Sequence, residues 1–332
     1  MAGSNAIMQA IKSGEFATIY LLYGEESYLK RYYKNQMVEH FGGLSGMNVN
    51  HFEGRGIDEK ELASILQTAP FFEEKRFVLV ENSGFFKKAP SDALLKVLEN
   101  LPDFVVLLFV EEETDGKTKL FKLVKKNGEP VVCDYLREVD LITWIAKYLS
   151  HQGKKISRAS ATSLIQRVGV DLETLSRELD KLVSYVGNNE NITTEDVLDV
   201  SIKRSEYRIF DLIDAVGSGK KREAFQIYYD LVESGMKAPM ILYMLARQCN
   251  QMLLASLMKN GGKGIPEITR HLGLHGDWLA KKLVSQASHY DSKHLKKLFE
   301  ECVSYEEAVK SGRLGDQVAC EMILVDLLNT DR

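Results

Sequence analysis

Apolar and polar residues alternate in blocks along the first 135 residues of the chain. Five short apolar runs have the β-branched and aromatic character of strands, and segments with helical periodicity separate them. Because strands and helices alternate, the pattern predicts an α/β unit with a parallel sheet and helices on its faces. The runs are TIYLLY from Thr18, NVNHF from Asn48, RFVLVE from Arg76, FVVLLFV from Phe104 and PVVCDY from Pro130, and the helical segments are residues 26–41, 58–67, 91–99 and 117–127.

Helical periodicity replaces the strand pattern after Tyr135. Apolar stripes and a capped start predict three short helices, and from about Tyr207 longer helical segments separated by loops predict a helical bundle. The sequence thus predicts an α/β domain over residues 7–137, a three-helix lid over 138–206 and an all-α domain over 207–332. The short helices are marked by a stripe from Leu141 to Leu149, a stripe from Leu172 to Val186 closed by Gly187, and the start NITTEDVLDV with Thr193 or Thr194 as cap.

The composition, 45% hydrophobic and 27% charged, is that of a soluble globular protein. A net charge of -4 excludes a whole-surface attraction to nucleic acid, so any DNA contact must be local.

The four cysteines lack C-x-x-C spacing and fit buried thiols in a reducing cytoplasm. His271 and His275 have no acidic or thiol partner nearby, so we expect no metal site. The apolar run 104–110 is far short of the ~20 residues that span a bilayer, so we expect no membrane segment. The opening MAGSNA carries no fold prediction.

An α/β unit followed by a small helical lid suggests a nucleotide-binding ATPase, but the turn after the first strand lacks the required pattern. A P-loop has the pattern G-x-x-x-x-G-K-[ST], in which backbone N–H groups wrap the phosphates. Here Gly24 begins the turn, whereas Leu29 replaces the second glycine and Arg31 the hydroxyl residue. Glu25 and Glu26 also place carboxylates where a triphosphate would bind. The sequence predicts a degenerate P-loop at Gly24 and no cofactor.

No other catalytic constellation is present in the sequence. The third strand ends in Glu81 and Asn82 where a Walker-B strand would end in Asp-Glu, and the motifs G-x-S-x-G and H-E-x-x-H are absent. We therefore expect no catalytic activity of the chain's own.

Two adjacent aromatic residues, Phe71 and Phe72, follow Pro70 in the loop before the third strand. Proline and the charged EEKR segment beside them are poor strand material. The pair either tucks under its own domain or projects as an anchor for another protein.

The segment GKTKLFKLVKKNG predicts an amphipathic helix with a basic outer face. Lys119, Lys122 and Lys126 on that face are candidate contacts to DNA phosphates within an assembly, and a solvated helix face is the alternative.

Longer blocks along almost the whole chain resemble the delta subunits of the bacterial DNA polymerase III clamp loader. The resemblance implies an AAA+/RecA-like sheet domain without a functional P-loop, a small helical lid and a helical C-terminal domain. The blocks are YLLYGEESYL, PFFEEKRFVLVEN, KLFKLVKKNGEPVVCDY, RVGVDLETLSRELDKLVSY, IFDLIDAVGSGKKREAF, APMILYMLARQ and EEAVKSGR.

The resemblance also implies a function and a contact site. Delta subunits bind and open the sliding clamp (beta) for loading onto primer-template DNA, and the matching contact residues are Phe71 and Phe72, with Pro70 and Gln67 beside them. The usual first member of the pair is leucine, so Phe71 departs from the pattern.

The resemblance implies partners as well. The C-terminal domain is expected to join the ATPase subunits (gamma/tau) and delta prime in a collar, within the cytoplasmic DNA-directed DNA polymerase holoenzyme, a nucleotidyltransferase. Two other functions stay open at this point: an unusual AAA+ ATPase, and a helical scaffold that does not bind the clamp.

Overall fold

The five apolar runs predicted as strands form one parallel sheet. They are β1 Ile19–Tyr23, β2 Val49–Glu53, β3 Arg76–Glu81, β4 Val105–Val110 and β5 Glu129–Val132. In the computed structural model, which describes residues 2–202 and 205–328, the strand order is β2-β3-β4-β1-β5. The interior strands β3 and β4 are buried along nearly their whole length, as their unbroken apolar runs predict. The predicted α/β fold class of this region is confirmed.

Five helices cover the two faces of this sheet. They are α1 Ala2–Ser13, α2 Ser27–His40, α3 Glu59–Gln67, α4 Asp92–Glu99 and α5 Lys119–Asn127. Helices α1 and α2 pack on one face through Ile7 and Met37, and α3, α4 and α5 pack on the other through leucines. Buried apolar side chains on both faces are what a parallel sheet with crossover helices requires.

Helix α1 lies where the sequence analysis made no prediction. Ile7 and Ala10 are buried and Ile11 packs beside them against the sheet. The spacing i, i+3, i+4 of these three residues is the signal of an amphipathic helix, and the small residues before them hid it.

Side-chain caps fix where the helices of this region begin. The side chains of Asp58, Ser91 and Thr118 accept hydrogen bonds from backbone N–H groups in the first turns of α3, α4 and α5. Each residue type is a favoured N-cap, so these starts are encoded locally.

The described residues after Tyr135 form a second unit, which is almost entirely helical. Its first part contains four helices and two short paired strands, so the prediction of three helices was wrong. The helix that was missed is α7, whose small polar residues conceal the buried stripe Ala161, Leu164, Ile165 and Val168. The elements are α6 Glu138–Ser150, β6 Lys155–Ile156, α7 Arg158–Val168, α8 Leu172–Val186, β7 Asn191–Ile192 and α9 Thr194–Val200.

The start of α9 confirms the predicted cap at Thr193. Its hydroxyl accepts a hydrogen bond from the Asp196 N–H, and the Asp196 carboxylate accepts one from the Thr193 N–H. This reciprocal pair is a capping box.

The rest of the second unit is a helical bundle built around the long helix α12. Helices α10, α14, α15 and α16 pack against α12 and share one hydrophobic core. This confirms the predicted all-α character of the region. The helices are α10 Ser205–Gly217, α11 Lys221–Glu233, α12 Ala238–Asn260, α13 Ile265–His271, α14 Asp277–Ala287, α15 Ser292–Lys310 and α16 Asp316–Leu328.

The division into three domains at 137/138 and 206/207 stays a proposal. The described residues separate into two units between Tyr135 and Leu136. Residues 203–204, beside the predicted second boundary, and residues 329–332 of the predicted third domain lie outside the described residues. No helix within the described residues is both long and apolar enough to cross a membrane.

Candidate functional site

Phe71 and Phe72 lie in the loop between α3 and β3, at the amino edge of the sheet. Phe71 is 54% exposed and Phe72 is 93% exposed. Their ring centroids lie 4.3 Å apart with an interplanar angle of 64°, so the rings contact each other edge to face. Of the two arrangements open from the sequence, the structure has the projecting pair.

Asn48, directly before β2, holds the backbone of Phe71. The Phe71 N–H donates to Asn48 Oδ1 at 2.6 Å, and Asn48 Nδ2 donates to the Phe71 carbonyl at 2.8 Å. The Asn48 side chain is buried, so water competes weakly for these bonds. One amide side chain thereby satisfies both polar groups of the Phe71 backbone.

Arg76, the first residue of β3, holds the start of the same loop. Its Nε donates to the Thr68 carbonyl at 2.9 Å and its Nη2 to the Ala69 carbonyl at 3.1 Å. Its Nη1 donates to Asn50 Oδ1 in β2 at 2.6 Å. The guanidinium is buried, which is rare unless its donors are paired as they are here.

The backbone of Phe72 is in the left-handed region, with φ 58°. This conformation is uncommon for a bulky residue and costs of the order of 1–3 kcal/mol, so it persists only where neighbouring contacts fix the chain. The bonds from Asn48 to Phe71, one residue earlier, supply such a constraint.

The two secondary candidates lie beside the aromatic pair. Gln67 is the last residue of α3 and is exposed, and Pro70 is half-buried in the loop. Proline fixes its own φ and so limits the conformations open to the residues before the pair. Sequence analysis did not identify Asn48 or Arg76, and the one available signal was an arginine opening an otherwise apolar strand.

The turn after β1 lies at the opposite, carboxyl edge of the sheet. Gly24 has φ 123°, and a Cβ there would lie 2.5 Å from the Cys133 carbonyl oxygen. The neighbouring Glu26 N–H donates to that same carbonyl at 2.7 Å. A glycine is therefore required here, because only a residue without a Cβ lets the turn after β1 approach the chain after β5 so closely.

Glu26 occupies the amino terminus of α2. It is the N-cap, it is almost fully buried, and its Oε1 accepts a hydrogen bond from the Tyr28 N–H at 3.0 Å. In P-loop proteins this helix terminus receives phosphate oxygens. Here the protein's own carboxylate takes that place.

Other side chains at the carboxyl edge pair with one another. Lys34 Nζ and His51 Nε2 each lie 2.9 Å from a carboxylate oxygen of Glu81. Buried Glu111 accepts hydrogen bonds from the Ser83 hydroxyl and from the N–H groups of Ser83 and Gly84. Burial raises the pKa of Glu111 above its usual range, against these bonds and the charge of Lys30.

The candidate DNA contacts lie together on one helix. Lys119, Lys122 and Lys126 are exposed on α5, at the i, i+3, i+7 spacing of one helix face, while Leu120 and Val124 are buried on the other. DNA contact by these lysines stays a prediction. Among the described side chains, no three His, Cys, Asp or Glu residues converge as a metal site would need.

Helix α16 presents apolar side chains on both of its sides. Ile323, Leu324 and three further side chains face the bundle core, while Val318, Met322 and Val325 are exposed. The exposed three share one face at the i, i+4, i+7 spacing. We refer to Val318, Met322 and Val325 as the α16 stripe.

Two family models match the chain. The model described as "DNA polymerase III, delta subunit" matches residues 20–134, and that described as "DNA polymerase III delta subunit, C-terminal domain" matches residues 206–327. Together they account for well over half of the 332 residues.

Relatives with the same description align over most of their length. The chain is 26% identical to the DNA polymerase III subunit delta of Bacillus subtilis (strain 168), over 97% of this chain and 96% of that protein. It is 22% identical to the Aquifex aeolicus (strain VF5) protein named Probable DNA polymerase III subunit delta, over 84% of this chain and 82% of that protein.

A solved structure has the same fold. The Bacillus subtilis DNA clamp loader delta protein superposes with a TM-score of 0.74 at 24% identity, covering 98% of this chain and 99% of that one. The family models match both the sheet region and the C-terminal helical bundle, and the fold agrees along the whole length. The chain belongs to the family of DNA polymerase III delta subunits.

Proposed function

We propose that this chain binds the sliding clamp through Phe71 and Phe72 and opens it for loading onto primer-template DNA. The observation that carries the proposal is a solvent-exposed aromatic pair in a loop that two buried polar side chains hold: Asn48 bonds the Phe71 backbone, and Arg76 bonds the loop at Thr68 and Ala69. Large aromatic residues in well-packed pockets are the usual energetic centres of protein interfaces.

The magnitudes favour this pair as the main contact. Full burial of a phenylalanine side chain contributes about 1.5 to 3 kcal/mol. A preformed loop loses little conformational entropy on binding, so more of that free energy remains as affinity. Phe72, with 93% of its surface exposed, has the most area to bury on the partner and contributes the larger share.

Opening the clamp by binding requires no chemistry in this chain. A ligand shifts a conformational equilibrium by its differential affinity for the two states. The subunit opens the ring if its contacts are better made with the open form than with the closed form.

The carboxyl edge of the sheet supports a role without nucleotide. The Glu26 carboxylate occupies the helix terminus that would receive phosphate, and it would repel a triphosphate there. The chain then has no ATPase activity of its own, and neighbouring subunits (gamma/tau and delta prime) supply ATP hydrolysis. This argues against the alternative of an unusual AAA+ ATPase.

The helical bundle is the proposed contact to those subunits. The α16 stripe exposes three apolar side chains at the bundle surface, on a helix whose opposite side is already buried in the core. Clustered exposed apolar side chains of this kind mark interaction surfaces. Within that assembly, in the cytoplasm of a bacterium, the exposed Lys119, Lys122 and Lys126 are the proposed contacts to DNA phosphates. The chain acts as a non-catalytic part of the polymerase holoenzyme.

The test is clamp binding by the F71S/F72S variant, measured by calorimetry with the clamp of the same organism. We expect affinity to fall about 100-fold, with ring opening lost. The melting temperature should stay near that of the unmodified chain, whereas truncating buried phenylalanines would cost about 3 to 5 kcal/mol each. Normal clamp binding by a folded F71S/F72S variant would mean that the clamp contact lies elsewhere on the chain. An unmodified chain that does not bind the clamp at all would leave the helical-scaffold alternative as the better account.

A further inference from the structure

A second loop of the first unit also exposes large apolar side chains. The loop joins α2 to β2 over residues 41–48, and it presents Leu44 at 55% and Met47 at 74% exposure. Single exposed apolar residues are normal on protein surfaces, but clusters are not. Among first-unit residues whose burial the structure describes, six large hydrophobic side chains are exposed, and four of them lie on this loop and the Phe71/Phe72 loop: Tyr32, Leu44, Met47, Phe71, Phe72 and Val132.

Sheet topology places the two loops side by side. Strands β2 and β3 are parallel neighbours, and Val49 is paired with Phe77. The chain segments that enter the two strands therefore emerge at the same amino edge, about 4.8 Å apart where the strands begin.

Asn48 joins the loops directly. Its side chain makes the hydrogen bonds of 2.6 and 2.8 Å to the Phe71 backbone, and its carbonyl accepts from the Phe77 N–H at 2.9 Å. Met47 is the residue immediately before Asn48 in the chain. An exposed methionine is thus one residue removed from the group that fixes Phe71.

The second loop is held in a defined conformation. The Gly43 N–H donates to the Val38 carbonyl at 2.8 Å, the Gly46 N–H to the Gly43 carbonyl at 3.1 Å and the Val49 N–H to the Gly46 carbonyl at 3.0 Å. Successive bonds of this kind make consecutive turns. Leu44 and Met47 are displayed from those turns.

We propose that Leu44 and Met47 form the second half of the surface that Phe71 and Phe72 present to the sliding clamp. The inference rests on the proposed function, because the occupant is the same clamp and Asn48 joins the new loop to the proposed contact. The aromatic pair supplies rigid anchors, and the unbranched methionine adapts to the irregular border of an apolar cleft. The partner surface is therefore an apolar area wider than a two-residue pocket.

The first test compares clamp affinity of L44S, M47S and L44S/M47S with that of F71S/F72S. We expect the dissociation constant to rise about three- to tenfold for M47S and further for L44S/M47S. The matched control is M240S, which removes the same side chain from a 55% exposed position on α12 and should bind like the unmodified chain. Melting temperatures should be unchanged throughout, because all of these side chains are exposed.

A second measurement does not depend on affinity. The four native cysteines are buried, so a Met47→Cys variant can be labelled selectively with an environment-sensitive dye, with Met240→Cys as control. Adding the clamp should shift the emission of the dye at position 47 and leave that at position 240 unchanged.

The outcomes separate the inference from the function on which it rests. If F71S/F72S weakens binding while L44S/M47S binds normally and the dye at position 47 does not respond, the inference is overturned and the proposed function stands. If F71S/F72S binds normally, the proposed function fails, and the joint surface fails with it.

Discussion

At the scale of single residues, Phe72 combines a strained backbone with an exposed side chain. At φ 58° a Cβ atom crowds the backbone, whereas glycine, which has no Cβ, adopts this conformation without steric cost. We therefore predict that F72G is more stable than F72A by about 1 kcal/mol, although glycine elsewhere is usually the less stable choice. Chemical denaturation of the two variants measures the difference.

The control for this prediction is the neighbouring position, Glu73, which is exposed and does not have a positive φ. There E73G should have a lower free energy of unfolding than E73A, because glycine raises the conformational entropy of the unfolded chain. Both Phe72 variants should bind the clamp poorly. An F72A variant equal to or more stable than F72G would mean that the left-handed backbone at this loop is not imposed by its surroundings.

The aromatic pair could be located from the sequence, but the side chain that holds its loop, Asn48, could not. Pro70 and the charged residues after Phe72 mark a loop locally, and the resemblance to delta subunits marks the pair. Asn48 lies 23 positions before Phe71, so its two hydrogen bonds follow from the pairing of β2 with β3 and from no local pattern. No local sequence pattern predicts the left-handed φ of Phe72 either.

At the scale of elements, prediction succeeded where one periodicity dominated. Strands β3 and β4 are unbroken apolar runs, and α8 has a clean leucine stripe, so each was found within one or two residues. Helix α7 was missed because serine, threonine and alanine dilute its stripe, although Leu164 and Ile165 are buried. Tertiary packing decides such weakly patterned segments.

The prediction at the scale of elements concerns the α16 stripe. If it is covered by an ATPase subunit in the assembly, M322E should weaken incorporation into the clamp loader by at least about tenfold, because a charge would be buried without a partner. Stability should change little, since position 322 is exposed and glutamate is a good helix former. Size-exclusion chromatography of the mixed subunits measures incorporation.

The matched control adds a glutamate to the same helix outside the stripe. Q317E changes an exposed position one turn away and should assemble normally. M322E should still bind the clamp, because Phe71 and Phe72 belong to the other unit. An M322E chain that assembles as well as Q317E would show that the collar contact uses a different face.

At the scale of the whole molecule, the two edges of one sheet have different properties. The amino edge carries projecting apolar groups. At the carboxyl edge, where parallel α/β sheets usually bind ligands, Glu26 caps the α2 terminus and Lys34 pairs with Glu81. The loss of the P-loop pattern could be predicted from Leu29 and Arg31. The position of Glu26 at the helix terminus could also be predicted, whereas its near-complete burial follows from no local pattern.

The carboxylate cap of α2 predicts that clamp binding by the isolated chain is independent of nucleotide. Millimolar MgATP should leave the dissociation constant for the clamp unchanged and should produce no saturable binding in calorimetry, since the α2 amino terminus is already capped by Glu26. The loader reconstituted with its ATPase subunits is the control, and there the same MgATP should change clamp affinity. An isolated chain whose clamp affinity rises with MgATP would place a working nucleotide site in this sheet and revive the ATPase alternative. Repeating the titration with E26Q then locates the effect, because removing the carboxylate charge at a true phosphate site would tighten nucleotide binding.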